Sequence, residues 1–223
     1  MKNSLVSVVI PAFNNARYLY EAITSVKNQS YPEIEIIVVD DGSNDNTKDV
    51  VAGLDARYTY QEQLGAPAAR NRGAELAKGE LLAFLDADDV WYSDKLQLQF
   101  EALERAPELD MIFGHLEEFI SPDCEAAGVR RVKEYVPGYV QGTLLIKEES
   151  FWKVGGFADQ ERDAQFIDWY IQAQKRGLQA KLLSDVVLRR RLHQLSEGVR
   201  PRLSPSTSRV NIPVFKATVD LVR

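Results

Sequence analysis

The stretch Leu81-Leu82-Ala83-Phe84-Leu85-Asp86-Ala87-Asp88-Asp89 decides how the chain is read. Its apolar run is far shorter than the roughly 18 to 20 residues a membrane span needs. It fits instead a strand buried on both faces of a sheet. The acidic run begins where the chain leaves that strand. In an open parallel sheet, ligands bind beyond the carboxyl ends of the strands, so these carboxylates are the first candidates for chemistry.

The same arrangement occurs upstream. Leu5 to Ile10 reads as a buried strand and Glu35 to Val39 as a second, followed by Asp40 and Asp41. Between them Tyr18, Leu19, Ala22, Ile23 and Val26 recur at helical intervals until Ser30-Tyr31-Pro32 ends the helix. Thr47 to Leu54 reads as a helix, Tyr58 to Gln61 as a weak strand, and Ala68 to Lys78 as a helix capped by Gly79. Strand and helix alternate, which predicts an α/β fold with a mostly parallel, Rossmann-like sheet flanked by helices. Further on, Asp110 to Gly114, Thr143 to Ile146 and Val186 to Leu192 read as strands, and Ala164 to Arg176 as a helix closed by Gly177. Ser121 to Gly138 reads as a long polar loop over a site, and the prolines after Val199 as a loose tail.

Composition narrows the function classes. The chain has 223 residues, 45% hydrophobic and 27% charged, enough apolar material for one sizeable core. With 27 basic and 33 acidic residues the net charge is −6, which argues against a protein that coats nucleic-acid phosphates with Lys and Arg. Cys124 is the only cysteine, so an intrachain disulfide and a thiolate zinc cluster are excluded. No apolar run spans a membrane and the start shows no cleavage signature, so a cytoplasmic protein is expected.

Asp40, Asp41, Asp86, Asp88 and Asp89 are all expected at one sheet edge, where they repel each other unless a cation or a donor-rich ligand neutralises them. Carboxylate oxygens suit Mg2+ or Mn2+, and such ions complete their shell with substrate phosphates. The bland alternative is that Asp40 and Asp41 cap a helix while Asp88 and Asp89 form a turn.

Four motifs in order carry a resemblance. They are Ser7-Val8-Val9-Ile10-Pro11-Ala12-Phe13-Asn14, Val38-Val39-Asp40-Asp41-Gly42-Ser43, the Gly65 to Gly73 segment with Ala69-Arg70-Asn71, and Gly79-Glu80 leading to Phe84-Leu85-Asp86-Ala87-Asp88-Asp89. Together they resemble the family-two glycosyltransferases, inverting enzymes of the GT-A fold that use nucleotide-diphosphate sugars. The resemblance is close over residues 5 to about 100 and resumes loosely at Val154-Gly155-Gly156-Phe157 and Arg191-Leu192-His193. It implies a GT-A domain over 1–198, with a nucleotide-binding half to about 106, an acceptor-side half from about 107, and a tail over 199–223.

The roles it implies follow residue by residue. Pro11, Ala12, Phe13 and Asn14 would flank the nucleobase. Asp40 would accept a hydrogen bond from its ring N–H, a donor that uracil and thymine offer and cytosine does not, so a UDP-linked donor is expected. Gly65, Arg70 and Asn71 would complete the base or phosphate contacts, although a surface ion pair is the alternative for Arg70. Asp86, Ala87 and Asp88 match the family's DxD signature, in which the last Asp holds the divalent metal. His193 is the second metal-ligand candidate, against a plain buried histidine. His115 is given no role. Trp91 and Tyr92 stand beyond the acidic cluster, where core positions are commoner than ligand contacts.

One departure stands out. The family's acidic pair, which supplies the base for inversion, aligns with Gln165 and Phe166, neither of which takes a proton. Asp168, on the helical side of Gln165, is the candidate base if the helix is rotated or shifted, and Glu161 and Asp163 are substitutes from the preceding loop. Alternatively, the acceptor is already a strong nucleophile, or the chain binds nucleotide sugar without transfer. A haloacid-dehalogenase-like phosphatase is a minor rival, since Asp86-Ala87-Asp88-Asp89-Val90 also satisfies its nucleophile pattern. The acceptor, whether saccharide, lipid-linked saccharide or peptide, is unidentified, and Arg189-Arg190-Arg191 leaves peripheral membrane contact open.

Overall fold

The computed structural model describes residues 4–122, 124, 135–158 and 165–193. They fall into two compact units, one drawn from 1–118 and 133–190, the other from 119–132 and 191–223. The expected tail, most of the Ser121 to Gly138 loop, Glu161 and Asp163 lie outside the described residues.

The first unit is built on a sheet. Strands β1 (Val6–Ala12), β2 (Ile34–Asp41), β3 (Arg57–Gln61) and β4 (Leu81–Phe84) alternate with helices α1 (Ala16–Lys27), α2 (Thr47–Ala52) and α3 (Ala66–Leu76). Then come β5 (Val90–Trp91), α4 (Lys95–Arg105), β6 (Met111–Ile120), β7 (Val136–Gly138), β8 (Leu145–Lys147), α5 (Glu148–Val154), α6 (Gln165–Lys175) and β9 (Ala180–Leu192). The order across the sheet is β3-β2-β1-β4-β8-β6-β9-β5, with β7 beside β6.

The parallel arrangement read from the alternating pattern covers β1 to β4, since β1 runs parallel to β2 and β4, and β2 to β3. Past β4 the sheet is mixed. Strand β8 pairs antiparallel with β4 and β6, β7 with β6, and β5 with β9. Antiparallel neighbours need no crossover helix, and the short link from β7 through a 3-10 turn to β8 has no room for one.

Every residue of β1 is buried. On one face Val8 and Ile10 join Leu19 and Ile23 of α1 with Leu96, Phe100 and Leu103 of α4. On the other, Val9, Ile37 and Phe84 join Ala69 and Ala74 of α3, Phe151 of α5, and Trp169 and Tyr170 of α6. Each large apolar side chain so buried contributes about 1.5–3 kcal/mol. Helix α3 lies so close to β1 that a Cβ on Gly73 would stand 2.2 Å from Val9 Cγ1.

Two elements differ from expectation. Helix α3 ends at Leu76 with Ala77 extended, so Gly79 is not its cap. Gly79 N–H instead donates to the buried Ser7 Oγ at 2.8 Å, where a Cβ would meet the Leu5 carbonyl oxygen at 2.5 Å. Helix α4 went unread, although Leu96, Phe100 and Leu103 have helical spacing. Its first residue, Lys95, is fully buried: Nζ donates to Gln99 Oε1 at 2.7 Å and the Leu144 carbonyl at 3.3 Å, and lies 4.1 Å from the Trp91 ring centroid. Burial pushes its pKa well below the ordinary lysine value. Trp91 is core, its indole N–H donating to the Gly142 carbonyl at 2.8 Å.

In the second unit Ser121 N–H donates to the Leu192 carbonyl at 2.9 Å, Cys124 and Leu192 are buried together, and the Arg191 guanidinium lies 4.4 Å from the Phe119 ring centroid. Among the described residues, no helix is long and apolar enough to cross a membrane.

Candidate active site

The ends of β1 and β2 define the first part of the site. Ala12 is register partner to Asp40, so Phe13 leaves the sheet beside Asp40 and Asp41. Pro11, Ala12 and Asp40 are buried, whereas Phe13 keeps 40% of its surface exposed. An aromatic ring left open at the end of a central buried strand is available for stacking.

The loops after the two strands are stitched together. Asn14, at a φ of 52°, donates its N–H to Ser43 Oγ at 2.9 Å and accepts from Asn44 N–H on Oδ1 at 2.9 Å. Asp45 Oδ2 accepts from Ala16 N–H at 3.0 Å, and its Oδ1 from Thr47 N–H and Oγ1. Burial pushes the Asp45 pKa upward, but these hydrogen bonds outweigh it and hold the group below its ordinary value.

The paired aspartates have separate partners. Asp40 Oδ1 accepts from Ser43 N–H at 2.9 Å and Oδ2 from the Tyr58 hydroxyl at 2.7 Å. Asp41 Oδ1 accepts from Gln61 Nε2 at 2.7 Å and Leu64 N–H at 2.9 Å, and Oδ2 from Gly65 N–H at 2.8 Å. Donors of the chain itself therefore meet both carboxylates, so Asp40 and Asp41 are offset by hydrogen bonds within the fold. Asp41 holds the β3–α3 loop in shape. Gly65, at a φ of 95°, closes that loop just before Pro67 in the first turn of α3.

Arg70 and Asp86 form the second part. Asp86 comes off β4 at the level of Pro11, since Val9 is register partner to Phe84 and Leu85 N–H donates to the Val9 carbonyl. Arg70 Nη2 donates to Asp86 Oδ1 at 2.5 Å, the ion pair that was the alternative reading for this arginine. Arg70 Nε is buried and finds no hydrogen-bond partner among the described residues. Such an orphaned donor costs free energy until an oxygen reaches it. Asp89 N–H closes a turn on the Asp86 carbonyl at 3.1 Å; within it Ala87 is buried and Asp88 half-buried.

Asn71 does not face this opening. Its Nδ2 donates to the Phe157 carbonyl and its Oδ1 accepts from Phe157 N–H, both at 2.8 Å, so it braces the Gly156–Phe157 turn. The expected nucleotide contact by Asn71 is thereby corrected to a structural one.

The late helix is anchored by aromatic rings. Phe166 is buried, with ring centroids 6.1 Å from Phe113, 6.2 Å from Phe157 and 6.0 Å from Trp169, whose indole N–H donates to the Gly155 carbonyl at 2.7 Å. That packing fixes the helix with Phe166 inward. It leaves Gln165 half-buried and Asp168 exposed, and the rotation that would exchange Asp168 for Phe166 does not occur. His193 is buried in the second unit. His115 Nδ1 lies 2.8 Å from the Leu183 carbonyl.

Among the described residues, no three His, Cys, Asp or Glu side chains gather as they would around a metal ion. A magnesium- or manganese-type ion needs only one or two carboxylates when phosphates complete its shell, and the half-buried Asp88 carboxylate fits that demand.

Tyr58 and Gln61, which hold the two aspartates, escaped the sequence reading. Their only signal was alternation along a weak strand, and which residue meets which depends on the β2–β3 register.

The sequence profile of Glycosyl transferase family 2 matches residues 7–158. The chain belongs to that family. An uncharacterized glycosyltransferase of Rickettsia typhi is 34% identical over 183 residues, covering 74% of this chain. The chain spans 58% of that relative's length. Among solved structures, TarS 1–349 of S. aureus in complex with UDP-GlcNAc superposes with a TM-score of 0.73 at 20% identity, over 98% of this chain and 65% of that one. A mannosyltransferase of Pyrobaculum calidifontis in complex with GDP-Man and Mn2+ gives 0.69 at 22% identity, over 91% and 61%. At these identities the likeness shows the fold, which is the mixed α/β fold of GT-A type that the motifs implied. Membership in the glycosyltransferase family leaves the phosphatase alternative without support.

Proposed function

We propose that this family-two glycosyltransferase moves a sugar from a UDP-linked donor to an acceptor with inversion at the anomeric carbon. The observation that carries the reading is the exposed Phe13 ring beside the buried Asp40 carboxylate, at the carboxyl ends of adjacent parallel strands. The ring stacks on the base while Asp40 accepts its N–H. Arg70, with an unpartnered Nε and an Nη2 already on Asp86, supplies a buried planar cation for the diphosphate. Asp88 would hold a divalent cation that offsets charge on the departing diphosphate. The mannosyltransferase of like fold carries Mn2+ with its GDP-Man, which supports a divalent cation in this reading.

In the transfer, the acceptor oxygen forms a bond to the anomeric carbon, the bond from that carbon to the β-phosphate oxygen breaks, and UDP leaves with the electron pair. The acceptor proton goes to Asp168, the exposed carboxylate in the first turn of α6, reached on the Gln165 side of the helix and not by the rotation that buried Phe166 prevents. A second reading, nucleotide-sugar binding without transfer, is favoured by one observation: Phe166 and Gln165 stand where the family places acids, and Phe166 is locked into the core.

Incubation with UDP-sugars, manganese and a panel of acceptors separates the two. Release of UDP that depends on acceptor and metal is expected. Donor binding with no release under any acceptor would select the binding-only reading, and no binding of any nucleoside-diphosphate sugar would overturn both.

A further inference from the structure

Resting on the reading of Asp40 as the acceptor of the base N–H, we propose that Tyr58 is a positioning residue that sets base selectivity by fixing the Asp40 carboxylate. In the parallel register of β2 and β3, Tyr58 lies opposite Val38 and Tyr60 opposite Asp40. Alternate residues share a face, so Tyr58 and Asp40 are diagonal neighbours on one side of the sheet. The Tyr58 ring packs on the apolar cluster that contains Val38 and Val51, which fixes where its hydroxyl points.

That hydroxyl donates to Asp40 Oδ2 at 2.7 Å, while Ser43 N–H donates to Oδ1 at 2.9 Å. Asp40 is only 2% exposed. One donor on each oxygen pins the plane of the carboxylate and leaves a lone pair on each for a ligand. A phenol has one proton, and Tyr58 gives it to Asp40. Burial, and then this hydrogen bond, push the phenol pKa above its ordinary value, so the proton stays there. Asp40 is thereby held as an acceptor of fixed direction. Such a group selects a base that presents an N–H, as uracil does at N3, and rejects one with a lone pair at that position, as in cytosine.

Calorimetric titration of UDP and of CDP, each with manganese, into wild type, Tyr58→Phe, Asp40→Asn and the double variant tests this. Wild type should prefer UDP. Tyr58→Phe should weaken UDP binding about tenfold, since the lost bond is to a buried charged group, and leave CDP binding nearly unchanged. In the Asp40→Asn background the same substitution should have no further effect. Unchanged UDP affinity in Tyr58→Phe, equal losses for UDP and CDP, or the same loss in both backgrounds would overturn the role of Tyr58 while the reading of Asp40 stands. A wild type with no preference for UDP over CDP would overturn the reading of Asp40 and the Tyr58 inference with it.

Discussion

Arg70 Nη2 donates to Asp86 Oδ1 at 2.5 Å, while the Nε of the same guanidinium is buried with no partner among the described residues. The arginine is thus held from one side and unsatisfied on the other. The same sheet edge carries Phe13, Asp40 and the turn with Asp88, at the carboxyl ends of β1, β2 and β4.

Replacement of Arg70 by Ala removes both the donor fork and the partner of Asp86. UDP affinity is expected to fall on the order of a hundredfold, and Arg70→Lys should recover only part of it, because an ammonium cannot serve two oxygens in one plane. Titration calorimetry of the two variants checks this, and full rescue by lysine would show that charge alone matters.

Asp168→Asn should lower acceptor-dependent transfer by at least about a hundredfold while UDP affinity stays at the wild-type value. Turnover equal to wild type would remove Asp168 as the base and point to an acceptor that needs none.

Asp41 differs from Asp40 in kind. It accepts three hydrogen bonds that shape the entry to α3, so Asp41→Ala removes a buried charged acceptor from half-buried and exposed donors and should cost about 1–3 kcal/mol of stability. Urea unfolding measures the loss. A variant as stable as wild type would mean that the β3–α3 loop is held by other contacts.

Lys95 gives the protein a defined pH dependence. Its folded-state pKa lies well below the ordinary 10.5, so between those values the unfolded chain binds more protons than the folded one and stability rises with pH. The slope approaches about 1.4 kcal/mol per pH unit for one proton. Above pH 10 the trend reverses, because burial holds Tyr31, Tyr92 and Tyr170 at about 12 in the folded state and the unfolded chain loses those protons first. Urea midpoints measured from pH 7 to 11 should climb and then fall, and Lys95→Met should flatten the climb. A climb that persists in the variant would assign it to another group.

Much of this was legible in the sequence because it is local. Alternating β-branched runs marked β1, β2 and β4, and the polar residues after them marked the edge where Phe13, Asp40 and Asp86 stand. What escaped depends on register and packing. Asn71 reads like a ligand contact, yet it braces Phe157, which is 86 residues away in the chain. Asp41 looks equivalent to its neighbour Asp40, but successive strand residues face opposite sides, so one holds a loop and the other faces Tyr58. Lys95 at the head of α4 resembles a solvated charge and is instead fully buried. The mixed half of the sheet gave weak signals because β5, β7 and β8 are each only two or three residues long.

The central claim, that a uracil nucleotide sits on Phe13 at the edge shared by Asp40 and Arg70, is tested most directly by titrating UDP with manganese into wild type and Phe13→Ala. Saturable binding to wild type is predicted, weakened at least about tenfold in the variant by loss of the stacking surface. Absence of UDP binding to wild type, or equal affinity in the two proteins, would contradict the account.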